Sequence, residues 1–131
     1  MRRINDDSLQ FPKEPGVYIL YALTSETGEC APTTINRFCG SDPEGILYIG
    51  ETGRGRPWTL VGGLRGPNHR QHGAAARYHG YPIISERFPL TKLAIEFFPV
   101  TGEEPWEDED RRIKAFVQKY GEVPPLNVQG A

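Results

Sequence analysis

Cysteine is scarce in this chain, and so are long apolar stretches; each shortage removes a class of protein. Only Cys30 and Cys39 are present, too few for a disulfide framework. Structural zinc would need two further ligands, and His69, His72 and His79 lie far off in sequence with no second cysteine pair beside them. Two thiols nine positions apart therefore read as free thiols in a reducing compartment. No apolar run approaches the roughly 18 to 20 residues that a membrane helix requires. The start, Met1-Arg2-Arg3-Ile4-Asn5-Asp6-Asp7, is charged and leads into no apolar segment, so it does not read as a secretory signal. The expectation is a soluble, cytoplasmic chain with no membrane partner. With 131 residues, 37% hydrophobic and 24% charged, it has room for one modest core and is read as a single domain over 1–131. No internal repeat is visible.

Excess charge of one sign is also missing. A formal net charge of −2 argues against a protein held on nucleic acid by bulk electrostatics. The distribution is uneven, however. Residues 51–80 carry Arg54, Arg56, Arg65, Arg70 and Arg77 against the single acid Glu51, whereas residues 103–110 carry six acids and no base. Arginine in the basic stretch favours forked contacts to phosphate oxygens.

Pro15-Gly16 is a turn signal, and Val17 to Leu23 is β-branched and aromatic enough for a buried strand. Residues 24–45 are polar and rich in Gly, Pro, Thr and Asp, which reads as an insert or flap. Ile46 to Ile49, closed by Gly50, is a second short strand, and antiparallel pairing with the first is the simplest arrangement. Pro57 suits a helix start ahead of Trp58, Leu60, Val61 and Leu64, although Gly62-Gly63 weakens that helix. A second helix is expected from near His69 to about Gly80, ahead of Pro82, and a third strand over Leu93 to Phe98. The last helix has acids and Pro105 at its start and Gly121 as its C-cap, with Trp106, Ile113, Phe116, Val117 and Tyr120 at helical spacing. The order implies an α+β fold with a small, mainly antiparallel three-stranded sheet flanked by helices.

One residue is out of place in that pattern. Glu109 sits three positions after Trp106 and four before Ile113, in the stripe that should pack inward. An unpaired buried carboxylate costs several kcal/mol, so a cationic partner, a raised pKa or a bound metal ion is expected there. A salt bridge to Arg112 or Arg65, or exposure at the helix start, is the plain alternative, and Asp110 is the nearest rival position.

Taken together, Gly16-Val17-Tyr18, Tyr48-Ile49-Gly50, Glu109 with Ile113-Lys114, and Pro124 or Pro125 before Asn127 resemble the GIY-YIG nucleases in both order and intervening elements. The likeness spans roughly residues 15–128. The wide gap between the two tripeptides is similar to the layout of restriction-type or stand-alone bacterial and phage members. The resemblance implies a metal-dependent DNA endonuclease, in which Glu109 is the one protein ligand of a divalent cation, Mg²⁺ or Mn²⁺. It further implies that Tyr18 activates the attacking water and that Tyr48 lines the site. Arg56 and Arg65 both stand as candidates for the catalytic arginine, Arg65 with His69 four residues on being the favoured one. His72 is a candidate phosphate contact or proton shuttle. Arg54, Arg70 and Arg77 are candidate DNA contacts, and Asn127 matches the family's closing asparagine. A second copy of the chain is an expected partner if both strands are cut. Two other readings remain open from the sequence: a fold of this type that binds nucleic acid without cutting it, and an interaction module whose acidic helix binds a basic protein.

Overall fold

The alternating β-branched and aromatic residues of Gly16–Ala22 form the most buried strand of the molecule, β2, every residue of which is buried. A computed structural model of the chain describes residues 1–52, 57–66 and 72–128. β2 lies between β5 (Ile46–Thr52) and β6 (Leu93–Pro99), antiparallel to both, with Tyr18 opposite Gly50 on one side and Phe97 on the other. A two-residue strand, β1 (Arg2–Arg3), adds to the far side of β6, giving the order β1-β6-β2-β5. The sheet thus has four strands where the sequence implied three. A strand of two residues is too short to show a periodicity of two, which is why it escapes a pattern-based reading.

The two faces of the sheet are covered by different elements, as the alternation along each strand requires. Tyr18, Leu20 and Ala22 point to a core that includes Leu60, Val61 and Leu64 of α1 (Pro57–Arg65) and Ala74, Ala75 and Tyr78 of α2 (Gly73–Gly80). Val17, Ile19 and Tyr21 point the other way, onto Phe116 and Tyr120 of the long C-terminal helix, which runs from Pro105 to Tyr120. A short helix, α3 (Pro82–Arg87), follows α2 and buries none of its residues, so it left no apolar period to read. The C-terminal helix is therefore α4. It ends as expected: Gly121 adopts φ 76°, a left-handed conformation that costs glycine nothing. Trp106 was expected to pack inward but is 57% exposed.

The stretch 24–45 is more regular than its composition suggests. It carries an antiparallel pair, β3 (Ile35–Arg37) and β4 (Gly40–Asp42), docked against α4. Its anchor is a buried ion pair between Arg37 and Asp42 at 2.6 Å. Asp42 also accepts the backbone N–H groups of Glu44 and Ile46, and the Arg37 guanidinium lies over the Phe116 ring. Cys30 and Cys39 are free thiols. Among the described residues, no helix is long and apolar enough to cross a membrane.

Candidate active site at the β5 edge

β5 is the outer strand of the sheet, and side chains from both faces meet around its rim. Tyr18 and Tyr48 lie on the same face, their ring centroids 6.0 Å apart, above the backbone of Gly50. A Cβ at Gly50 would come within 2.6 Å of the Tyr48 ring and 2.7 to 2.8 Å of the Tyr18 ring and hydroxyl. Glycine is thus the residue that lets the two phenols converge. Gly16 serves the neighbouring strand similarly, since a Cβ there would strike the Phe98 carbonyl and the Phe97 ring.

His72 completes the aromatic group. It is the N-cap of α2, its Nδ1 accepting the Ala74 N–H at 3.1 Å, and its Nε2 lies 3.0 Å from the Tyr18 hydroxyl. Its ring meets that of Tyr48 edge-on at 5.6 Å. Burial, and after it the nearby charge of Arg77, holds the imidazole below its usual pKa, so it is neutral near pH 7. Burial pushes the Tyr18 phenol far above its usual range, with the Tyr48 phenol adding to the effect. Tyr48 is raised as well, first by burial and then by the Glu109 carboxylate.

Opposite the phenols stands α4. Its acidic start separates into three groups once the contacts are known. Glu107 caps the helix by accepting the Glu104 N–H at 3.0 Å. Glu103 and Asp108 pair with Arg111, Asp108 also with Arg112, and Asp110 with Lys114. Among the described residues, no ion pair joins Glu109. The salt bridge to Arg112 or Arg65 that would have explained it is therefore not made: Arg112 turns to Asp108, and Arg65 to the N-terminal segment. Burial, then the neighbouring carboxylates of Glu51 and Asp110, raises the Glu109 carboxyl to about 7. It is the strongly perturbed acid of the cleft.

A cleft of about 820 Å³ lies between these parts, lined among others by Tyr48, Arg77, Glu109, Lys114 and Asn127. Arg77 donates from Nε and Nη2 to the Leu126 carbonyl at 2.8 and 2.6 Å. That contact holds the segment carrying Asn127, whose side chain accepts the Ile49 N–H at 3.0 Å and donates to the Ile49 carbonyl at 2.9 Å. Asn127 thereby pairs with the open edge of β5 as an adjacent strand would, next to Tyr48.

Of the sequence-derived candidates, Tyr18, Tyr48, His72, Arg77, Glu109 and Asn127 come together at this rim. Arg65 is directed elsewhere: Nε and Nη2 donate to the carbonyls of Ile4 and Asp6 at 2.7 and 2.9 Å, and its guanidinium faces Trp58. The N-terminal segment that claims it is distant in sequence, so nothing local to α1 announced the contact. Arg54, Arg56, His69 and Arg70 lie outside the described residues. Sequence reasoning passed over Glu51, whose carboxylate acts on Glu109, Tyr18 and Tyr48. Period-two counting could have found it, since Glu51 follows Ile49 by two and Ile49 packs on the α4 side.

Among the described residues, no three of His, Cys, Asp and Glu gather closely enough to cage a metal ion. The cleft instead offers hard carboxylate oxygen from Glu109, which forms no ion pair among the described residues, with Glu51 nearby. Such a donor set fits a divalent cation that keeps several of its waters, as Mg²⁺ does, and not zinc. No protein-family model, curated protein or solved structure matches the chain.

Proposed function

We propose that this chain is a GIY-YIG-type endonuclease domain that hydrolyses phosphodiester bonds in DNA. The observation that carries the reading is the unpaired Glu109 carboxyl, raised to about 7, facing Tyr48 and Arg77 across a cleft open to solvent. A phosphodiester is anionic and its transition state more so, so the groups needed are a cation, hydrogen-bond donors and a means of deprotonating water. Glu109 would hold Mg²⁺ or Mn²⁺, which when bound lowers the pKa of coordinated water and neutralises phosphoryl oxygen charge.

The chain's own residues then divide the remaining work. Arg77 is the arginine on the cleft wall that forms no ion pair among the described residues, and two of its nitrogens already fix the Leu126 carbonyl, which orients the rest of the guanidinium. Arg77 therefore replaces Arg65 as the candidate for holding the scissile phosphate. Arg111 and Lys114, also on the wall, add positive charge along the path a DNA backbone would take. Asn127 holds the backbone beside Tyr48 and is a positioning residue. One active centre cuts one strand, so cleavage of both strands would engage a second copy of the chain.

Supercoiled plasmid incubated with the protein and Mg²⁺ tests the reading, with chelator and Glu109→Ala as parallel arms. The expected result is nicked or linear product with Mg²⁺, none with chelator, and a loss on the order of 100-fold or more in the variant. Undiminished cleavage by Glu109→Ala would overturn the proposal.

A further inference from the structure

The cleft wall changes character along α4. Glu109 and Asp110 begin it, Ile113 follows about one turn later and Val117 a turn after that, roughly 6 and 12 Å from Glu109 along the helix axis. The C-terminal segment adds Val123 and Val128 to the lining, on either side of Asn127 in sequence. Val128 is 54% exposed, and Ile113, Val117 and Val123 are half-buried, so all four keep apolar surface in contact with solvent. This part of the wall is formed in advance. The Leu126 N–H donates to the Leu47 carbonyl at 2.9 Å, and Arg77 and Asn127 pin the same segment. Gln118, beside Val117, also lines the cleft, and its exposed amide makes no hydrogen bond among the described residues.

Phosphodiester hydrolysis uses only the polar part of this cleft. A volume of about 820 Å³ falls in the range that encloses a drug-sized ligand, well above what one phosphate and a hydrated cation fill. The ligand suited to the whole cleft carries an anionic group for Arg77 and Lys114 and an apolar face one to two helical turns away. A nucleotide has both. In an uninterrupted duplex the base faces are stacked on one another and only base edges reach the grooves, so a base meets such a wall only when it is turned out of the stack.

We infer that Ile113, Val117, Val123 and Val128 form a base site at the apolar end of the cleft, and that the substrate is DNA with an unpaired nucleotide beside the scissile phosphate. The inference rests on the nuclease reading for the position of that phosphate. With the phosphate beside Arg77 and Glu109, the base lies on the valine side chains. Its edge meets the Gln118 amide, which both donates and accepts and so suits any base. Turning out a base that has no partner breaks no base pair, which is where the preference over an uninterrupted duplex arises. These five residues select the substrate and take no part in bond cleavage.

Binding of three labelled DNAs to the full chain, with Ca²⁺ in place of Mg²⁺ to suppress cutting, tests it. One is a fully paired duplex, the second carries a single unpaired nucleotide, and the third carries the same bulge with its base removed. The bulge that keeps its base should bind on the order of tenfold more tightly than the other two. Val117→Ala combined with Val128→Ala should shrink that advantage to about threefold or less, while affinity for the abasic bulge holds and shows the fold and the phosphate contacts to be intact. In NMR spectra of the protein with an unpaired dinucleotide, base protons should show contacts to the methyl groups of Val117, Val123 and Val128. Equal affinity for the bulges with and without a base, both weakened by Arg77→Ala, overturns the base site and leaves the nuclease reading standing. Failure of all three DNAs to bind overturns both.

Discussion

At the scale of single residues, the fold works against the group it would use. Glu109 has a carboxyl pKa of 4.5 when free and about 7 in the folded protein, raised by burial and by Glu51 and Asp110. The folded state therefore binds this proton more tightly than the unfolded chain does. Stability tied to the group is present in full below pH 4.5 and is lost as pH rises to about 7. Glu109→Gln, which cannot ionise, should leave stability unchanged at pH 4 and raise it at pH 8 by about 1 kcal/mol, after allowance for the half-exposed position. Urea unfolding at the two pH values measures this, and an equal effect at both would refute it. The same proton competes with a cation, so the Mg²⁺ concentration needed for half-maximal cleavage should rise as pH falls below about 7. Gly50→Ala would push a methyl group into both phenols, and cleavage should drop at least tenfold even where the variant remains folded by circular dichroism. The position of Glu109 was legible in the sequence because a carboxylate in an apolar helical stripe is a local contradiction. The fate of Arg65 was not, because its acceptors are carbonyls about sixty residues away and carbonyls have no residue type to read.

At the scale of elements, legibility followed the source of each element's stability. β2, β5 and β6 are held by burial of short, largely apolar runs and α4 by a 3.6-residue stripe, and both patterns are written in residue order. The β3–β4 pair is held differently, by one ion pair with side chains 2% and 1% exposed, and residues 24–45 therefore looked irregular. Removing one partner strands the other charge in the interior. Asp42→Ala should cost about 3 to 5 kcal/mol, and Arg37→Leu in the same background should return part of that loss, because no buried cation then remains. Urea unfolding of the two single variants and the double variant completes the cycle; additive losses would mean that the pair is not the anchor. Since Arg37 also lies over Phe116 and donates to the Ile46 carbonyl at the start of β5, loosening the insert should reach the strand that carries Tyr48.

At the scale of the whole molecule, the net charge of −2 conceals how little of the acid is free to repel DNA. Three of the six acids at the start of α4 are paired where they stand: Glu103 and Asp108 face Arg111, Asp108 also faces Arg112, and Asp110 faces Lys114. The cations on the cleft wall are Arg77, Arg111 and Lys114, beside Glu109 and Asp110, and phosphates would take Arg111 and Lys114 by displacing their carboxylate partners. Three phosphates neutralised by three cations predict a dependence of log affinity on log salt with a slope of about −2.7 on duplex DNA. Because Lys114 is the most exposed of the paired bases, Lys114→Ala should reduce that slope by about 1 and weaken binding equally on unrelated sequences. Fluorescence anisotropy with a labelled duplex across a salt series, with Ca²⁺ in place of Mg²⁺ to suppress cutting, gives the slope directly. A slope of about −6 or steeper would need phosphate contacts beyond the cleft, and Arg54, Arg56 and Arg70 are the positions whose alanine variants should then restore the shallower value. A slope near zero would remove DNA as the ligand, because no contact with a duplex backbone made through this cleft could avoid displacing its counterions.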